Sequence, residues 1–215
     1  MYYTTLAIVL NSAPQGERGK LMHLLTEARG LVIAHGQGVM APRSKLGPKL
    51  TQYRLLTLNL VGRVIDRIIG VEVLETYEIL WRDPLRQGYA AWAQAIVQNV
   101  LKPGVKDVRI FEILREYLEH INDVDVKEQE LPSMRLAFAC RLNHFLGHAL
   151  FTEKIDTENG NLLQQALSHD LLDHMALVLM PMARVVHERV EAWVAETAGV
   201  KELPPARFLR SFAVQ

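Results

Sequence analysis

The residues of this chain whose types and spacing suggest chemistry are cationic. Between Gly16 and Arg54, seven bases (Arg18, Lys20, Arg29, Arg43, Lys45, Lys49 and Arg54) face two acids, Glu17 and Glu27, a local net charge of +5 in a chain that is neutral overall. Arg43, Lys45 and Lys49 fall among Gly36, Gly38, Pro42, Gly47 and Pro48, so they belong to an irregular loop. Lysine and arginine on such a loop suit a polyanion, because each one set against a phosphate releases a condensed counterion. Nucleic acid is therefore the first expected ligand, with Arg18, Lys20, Arg43, Lys45, Lys49 and Arg54 as candidate contacts. The plainer alternative is a solvated, charged connection.

Two histidine clusters offer a different chemistry. His144 and His148 lie four apart, so on a helix they share a face, as two metal ligands would, but the residues between them include no Glu to act as a base. The run HDLLDH at 169–174 invites the reading of an HD-type metal-dependent phosphohydrolase, in which His and Asp hold divalent ions around a phosphate ester. Helical geometry weakens it. His169 and His174 stand about 140° apart around a helix, while His169 with Asp173 and Asp170 with His174 have the spacing of ordinary surface pairs. No metal, cofactor or catalytic residue is expected. Cys140, on an apolar helix, reads as a small buried hydrophobe, and one cysteine excludes an intrachain disulfide or a Cys-rich zinc ribbon. Trp81, Tyr89, Trp92, Tyr117 and Trp193 fall on apolar helical stripes and are expected in the core. Tyr2, Tyr3 and Tyr53 lie on or beside strands, where a base could stack, although edge packing is the simpler expectation.

The elements that must position these residues are legible from periodicity. Thr5–Asn11, Leu21–Thr26, Leu31–Val39, Leu50–Val61 and Ile65–Leu74 read as five short antiparallel strands, with a tight turn at Glu27–Gly30 and a basic loop, expected to be mobile, after the third. Five strands in so short a stretch suggest a small closed barrel, since closure removes exposed edges. From Trp81 the period lengthens to about 3.6. Stripes run through Leu85–Val100, Ile110–Ile121 and Met134–Ala149, and further helices are expected from Ser168 and from Pro181 to near Gly199. The expected class is α+β: an all-β domain over residues 1–78 and an all-α bundle of about five helices over 79–215.

Composition bounds the function without naming it. A hydrophobic content of 49% with 22% charged residues is that of an ordinary globular chain with a sizeable core. Balanced charge, 24 basic against 24 acidic residues, excludes a generally basic coat. The start, MYYTTLAIVL, has neither a basic leader nor a small-residue cleavage site, and no apolar run is long enough to span a bilayer, so a cytoplasmic location is expected.

Specific motifs go further. From Ala7 the chain reads AIVLNSAPQGERGKLMHLLTEARGLVIAHGQGVMAPRSKLGPKLTQYRLLTLNLVGR. This resembles the bacterial DNA repair and recombination mediator family RecO: a first strand ending in V-L, a T-E-x-x-G hairpin (Thr26, Glu27, Gly30), and a G-A-R-x-S-K-type loop ahead of an L-Q-P-F-type strand. VLETYEIL, MRLAFACRLNHFLGHAL and the closing LPPARFLRS are similar to later family segments. The pattern departs at 38–43, which carry fewer consecutive bases, at Pro205 and Ala206, where the family has Lys and Ser, and in lacking the four cysteines of the zinc module many members carry. The resemblance implies an OB-fold barrel on a zinc-free helical domain and a non-enzymatic, nucleoid-associated role. That role comprises binding single- and double-stranded DNA, annealing complementary strands, and helping RecA replace the single-stranded-DNA-binding protein SSB, with RecR as partner. It also implies capture of the acidic SSB tail by the helical domain, for which Arg135 and Arg141 are the candidates. A protein-interaction adaptor that does not touch nucleic acid is the remaining alternative.

Overall fold

The computed structural model of the protein describes residues 1–62, 65–147, 190 and 192–196. Five strands come first: β1 (Tyr2–Gln15), β2 (Gly19–Thr26), β3 (Gly30–Gly36), β4 (Arg54–Val61) and β5 (Asp66–Thr76). Helices α1 (Glu78–Arg82), α2 (Pro84–Val100) and α3 (Val108–Ile121) follow, and after a 3₁₀ turn at Glu128–Glu130, α4 (Leu131–Phe145). The architecture is α+β, as the change of period at Trp81 implies.

The strands close into a barrel in the order β1-β2-β3-β5-β4, with β4 returning to β1 so that Tyr2 faces Val61 and Ile8 faces Leu55. One seam corrects the expectation of antiparallel pairing throughout. β3 and β5 run parallel, joined at Ala34 with Asp66 and His35 with Arg67. The reason is parity: an odd number of strands cannot alternate direction at every seam of a closed ring.

The residues of β1 show where the core sits. Ala7 and Val9 point into the barrel among Met22, Leu24, Leu56, Leu58 and Leu60. Ile8 and Leu10 point outward, into a second cluster with Leu25, Leu31, Leu55 and, from the helices, Trp92, Ile96, Phe111, Leu114 and Phe138. Both faces are buried, so the strand reads as an almost continuous apolar run. Gln94 of α2 donates to the Val9 carbonyl at 3.2 Å and ties the helices to this strand.

The T-E-x-x-G turn is fixed by its own hydrogen bonds. Thr26 Oγ1 donates to the Gly30 carbonyl (2.9 Å) and accepts from Arg29 N (3.2 Å), while Ala28 N donates to Thr5 Oγ1 (3.1 Å). Gly30 has φ +66°, and a Cβ there would overlap the Val105 carbonyl, so both conformation and space require glycine.

Among the helices, Asp83 caps α2 by accepting from Leu85 N and Arg86 N, with Pro84 in the first turn. Arg86 is buried; its guanidinium pairs with Asp83 (3.1 Å) and donates to the carbonyls of Ile121 and Asp123 (2.8 and 2.6 Å) and of Val126. Asn122 Oδ1 accepts from Ile79 N and Leu80 N of α1 (3.0 and 3.4 Å). These contacts lock α1 and α2 to the end of α3. Val190, Trp193 and Val194 add to the same apolar cluster. The helix start expected at Ser168, Pro181, His148, the HDLLDH run and the LPPARFLRS segment lie outside the described residues. Among the described residues, no helix is long and apolar enough to cross a membrane.

Candidate nucleic-acid interface

The chain between β3 and β4 carries most of the candidate cations, and its ends are anchored. Val39 and Leu50 are buried in the barrel cluster, with Leu46 packed against it. Between these anchors Arg43 and Lys45 project into solvent, and Lys49 is exposed just before the second. The loop is a short excursion anchored by buried side chains at both sides. Lysine and arginine at its crest cost little, because their charges stay in water.

Two further contacts gather neighbouring cations onto it. The Arg18 carbonyl accepts from Met40 N at 3.0 Å, which sets the turn before β2, and the exposed Arg18 side chain, beside the loop. Arg54 donates from Nη1 to the Pro48 and Lys49 carbonyls at 2.7 and 3.4 Å, drawing the loop's end onto β4. Lys20 is half-buried at the open end of the β2–β3 hairpin, opposite Gly36. Within the described residues Arg18, Arg43, Lys45 and Lys49 form no ion pair.

Arg29, counted in the local charge, is set apart. It lies in the closed turn of the β2–β3 hairpin, 4.4 Å over the Tyr3 ring and 3.5 Å from Asp66 Oδ2. Tyr3 Oη donates to the same carboxylate oxygen at 2.6 Å. Burial, and then the Asp66 carboxylate, push the Tyr3 hydroxyl up to about 12, against the opposing pull of Arg29. Tyr3 and Arg29 are therefore committed to Asp66 rather than presented to a ligand.

Trp81 corrects a second expectation. It is not core; 44% of it is exposed. The apolar stripe that follows it belongs to α2, which starts at Pro84, whereas Trp81 sits on the separate α1. The Asp83-Pro84 pair, a cap followed by a first-turn proline, is the sequence signal that marks this break. Tyr53 meets Trp81 edge to face, with ring centroids 5.9 Å apart, and the Arg54 guanidinium lies 5.8 Å from the Trp81 ring. Tyr53 holds this position with φ +60°, a left-handed conformation that is uncommon and strained for a bulky residue, and its carbonyl accepts from Tyr77 N.

The candidate cations of the helices are placed differently. Arg141 is buried, with Nη1 2.9 Å from Glu116 Oε2. Arg135 is also buried, its guanidinium 5.0 Å from the Trp92 ring. Neither stands on an open rim. His144 is exposed, and among the described residues no three His, Cys, Asp or Glu side chains gather as a metal site. Cys140 is buried, and burial pushes its thiol up to about 12.

A five-stranded barrel closed in this order, backed by helices and carrying a cationic loop, is an OB-fold barrel on a helical base. The family model described as "Recombination protein O N terminal" matches residues 1–77. The DNA repair protein RecO of Geobacter sulfurreducens is 27% identical over 145 residues, 67% of this chain and 58% of the relative. That of Trichodesmium erythraeum is 29% identical over 155 residues, 71% of this chain and 53% of the relative. That of Acaryochloris marina is 41% identical over 76 residues, 35% of this chain and 26% of the relative. Residues 1–77 thus match the RecO N-terminal family model, and the chain is similar to these RecO relatives. The matches span only about half to three-fifths of the length of the first of these curated relatives.

Proposed function

We propose that the chain is a DNA repair and recombination mediator that binds single- and double-stranded DNA through the cationic side of its barrel, within a DNA-binding domain of residues 1–78. The observation that carries this reading is the set of exposed cations, Arg18, Arg43, Lys45 and Lys49, with Arg54 bracing the loop's end. Cations without acidic partners on a pinned loop hold phosphates and leave base edges untouched. Free base edges are what annealing of complementary strands requires. No general acid, nucleophile or metal enters this mechanism. The names of the relatives support the repair context. RecR as partner and help to RecA in replacing SSB are carried over from the family resemblance.

The helical domain, 79–215, is proposed to take the SSB tail, with Arg135 and Arg141 as cationic contacts. Their burial sets a condition: a tail carboxylate reaching Arg141 has to displace Glu116, which now holds it at 2.9 Å.

The test is a titration of a short single strand at several salt concentrations. With four or five phosphates neutralised, log K against log salt should fall with a slope of roughly −3. A flat dependence, or strong preference for one sequence, would remove the electrostatic reading and favour an adaptor that does not touch nucleic acid.

A further inference from the structure

We infer that Trp81 is a stacking platform for one unpaired base of a single strand whose phosphates run over Lys49 and Arg54, an inference that rests on the DNA-binding reading above. Four observations converge on it. Trp81 is a large aromatic side chain left 44% exposed. One side of it is braced by Tyr53, edge to face at 5.9 Å, and that brace is maintained by a tyrosine in a left-handed conformation. Beside the ring opens a recess of about 280 Å³ lined by Arg54, Thr76, Glu78, Trp81 and Arg82. That is below the ~300–1,000 Å³ usual for drug-sized ligands, and it is on the scale of a single base.

The fourth observation is charge. Arg54 bridges the recess and the cationic loop: its guanidinium lies 5.8 Å from the Trp81 ring and its Nη1 2.7 Å from the Pro48 carbonyl. A strand whose phosphates lie along the loop therefore arrives at Trp81 within one side chain's length. The one acid in the recess, Glu78, is already offset by Arg82 at 3.0 Å. Stacking is indifferent to sequence, since every base has a π-face, and it leaves the pairing edge exposed. It adds affinity for unpaired bases without obstructing annealing. A base pair, whose faces are covered by its neighbours, gains nothing there.

The experiment compares wild type, Trp81→Ala and Trp81→Phe, each checked for an unchanged thermal midpoint. Each binds an oligo(dT) strand and an abasic strand of equal length. The expected result is a loss of about tenfold or more in oligo(dT) affinity for Trp81→Ala, with abasic binding unchanged and Trp81→Phe retaining most of the affinity. Oligo(dT) should also quench tryptophan emission in wild type but not in Trp81→Phe, because Trp92 and Trp193 are buried. Equal oligo(dT) affinity in Trp81→Ala and wild type, or an equal loss on both strands, overturns the stacking site while salt-dependent binding leaves the DNA-binding reading standing. Absence of binding to either strand by wild type at low salt overturns both. Loss of a protein partner alone in Trp81→Ala, with DNA binding intact, also overturns it and assigns the platform to a peptide.

Discussion

The barrel and the helices both contain conspicuous arginines, and they use them in opposite ways. On the barrel, Arg18 and Arg43 are exposed and Arg54 meets two carbonyls of the adjoining loop and the Trp81 ring, with no carboxylate partner among the described residues. In the helices, Arg86 and Arg141 are buried and held by carboxylates and carbonyls, and Arg135 is stacked near Trp92. Apart from Arg29, which Asp66 holds, the side chain is left in water on the barrel, whereas these three arginines join one helix to another. What decides is surroundings: a guanidinium withdrawn from water must find fixed acceptors, whereas one left in water keeps its charge available to any anion that arrives.

The strongest way to break this comparison is to truncate a buried arginine. Arg86→Ala leaves the Asp83 carboxylate without its partner and the carbonyls of Ile121, Asp123 and Val126 without their donor. The expected loss is about 2–4 kcal/mol, chiefly from buried carbonyls left without their donor at roughly 1–3 kcal/mol each, since Asp83 keeps solvent access and its two backbone donors. Arg141→Ala should fall in the same direction, by less, since it removes one ion pair with Glu116 whereas Arg86 also holds three backbone carbonyls. Chemical denaturation of the two variants measures both. A change below about 0.5 kcal/mol in Arg86→Ala would place it with ordinary surface substitutions and erase the distinction.

The contrast also shows what the sequence reveals and what it hides. The barrel is legible because its signals are local: the Thr26, Glu27, Gly30 turn, the run of apolar strands, and the cations among glycines and prolines. Its parallel seam between β3 and β5 is not, because pairing across the barrel depends on closure, which no short window contains. In the helices, the apolar stripes place Trp92, Phe111 and Phe138 correctly in the core. The burial of Arg135 and Arg141 stays hidden because a charged letter reads as surface unless its surroundings, such as Glu116 on another helix opposite Arg141, are known. The exposure of Trp81 is hidden for a local reason, the break at Asp83-Pro84, and is therefore recoverable.

Titratable groups sharpen the comparison with a smaller effect. Burial pushes the Cys140 thiol up to about 12 from about 9, and burial likewise raises the Tyr77 and Tyr117 hydroxyls above the ordinary value near 10. Below about pH 8 both folded and unfolded chains keep these protons, so stability is unaffected. As pH rises further, the unfolded chain releases them first, and the folded state loses stability progressively through the folded values. The thermal midpoint should therefore hold steady between pH 7 and about 8 and then fall. At pH 8 the Cys140 thiol should resist a disulfide reagent until denaturant is added. Rapid labelling of the native protein would show that the helical interior is open, and would undo the picture of a sealed base.

The smallest expected effect on stability is also the one that tests what the exposed cations are for. Arg43, Lys45 and Lys49 are exposed and form no ion pair among the described residues, while the loop's position is set by buried Val39 and Leu50 and by Arg54. Changing all three to Ala should therefore move stability by less than about 0.5 kcal/mol, as substitutions of solvated charges do. Binding to a single strand should weaken at the same time, and its salt slope should become shallower by roughly 2, about 0.7 for each phosphate no longer neutralised. The two readouts separate the possible causes. A collapsed loop would lower the thermal midpoint together with affinity. A folded triple variant with unaltered slope would shift the phosphate-binding role to Arg18, Lys20 and Arg54. If Trp81 stacks a base as inferred, the triple variant should still distinguish oligo(dT) from an abasic strand, because the platform and its Tyr53 brace lie outside the altered residues. Phosphate attraction and base stacking would then be independent contributions of one surface, each removable without the other.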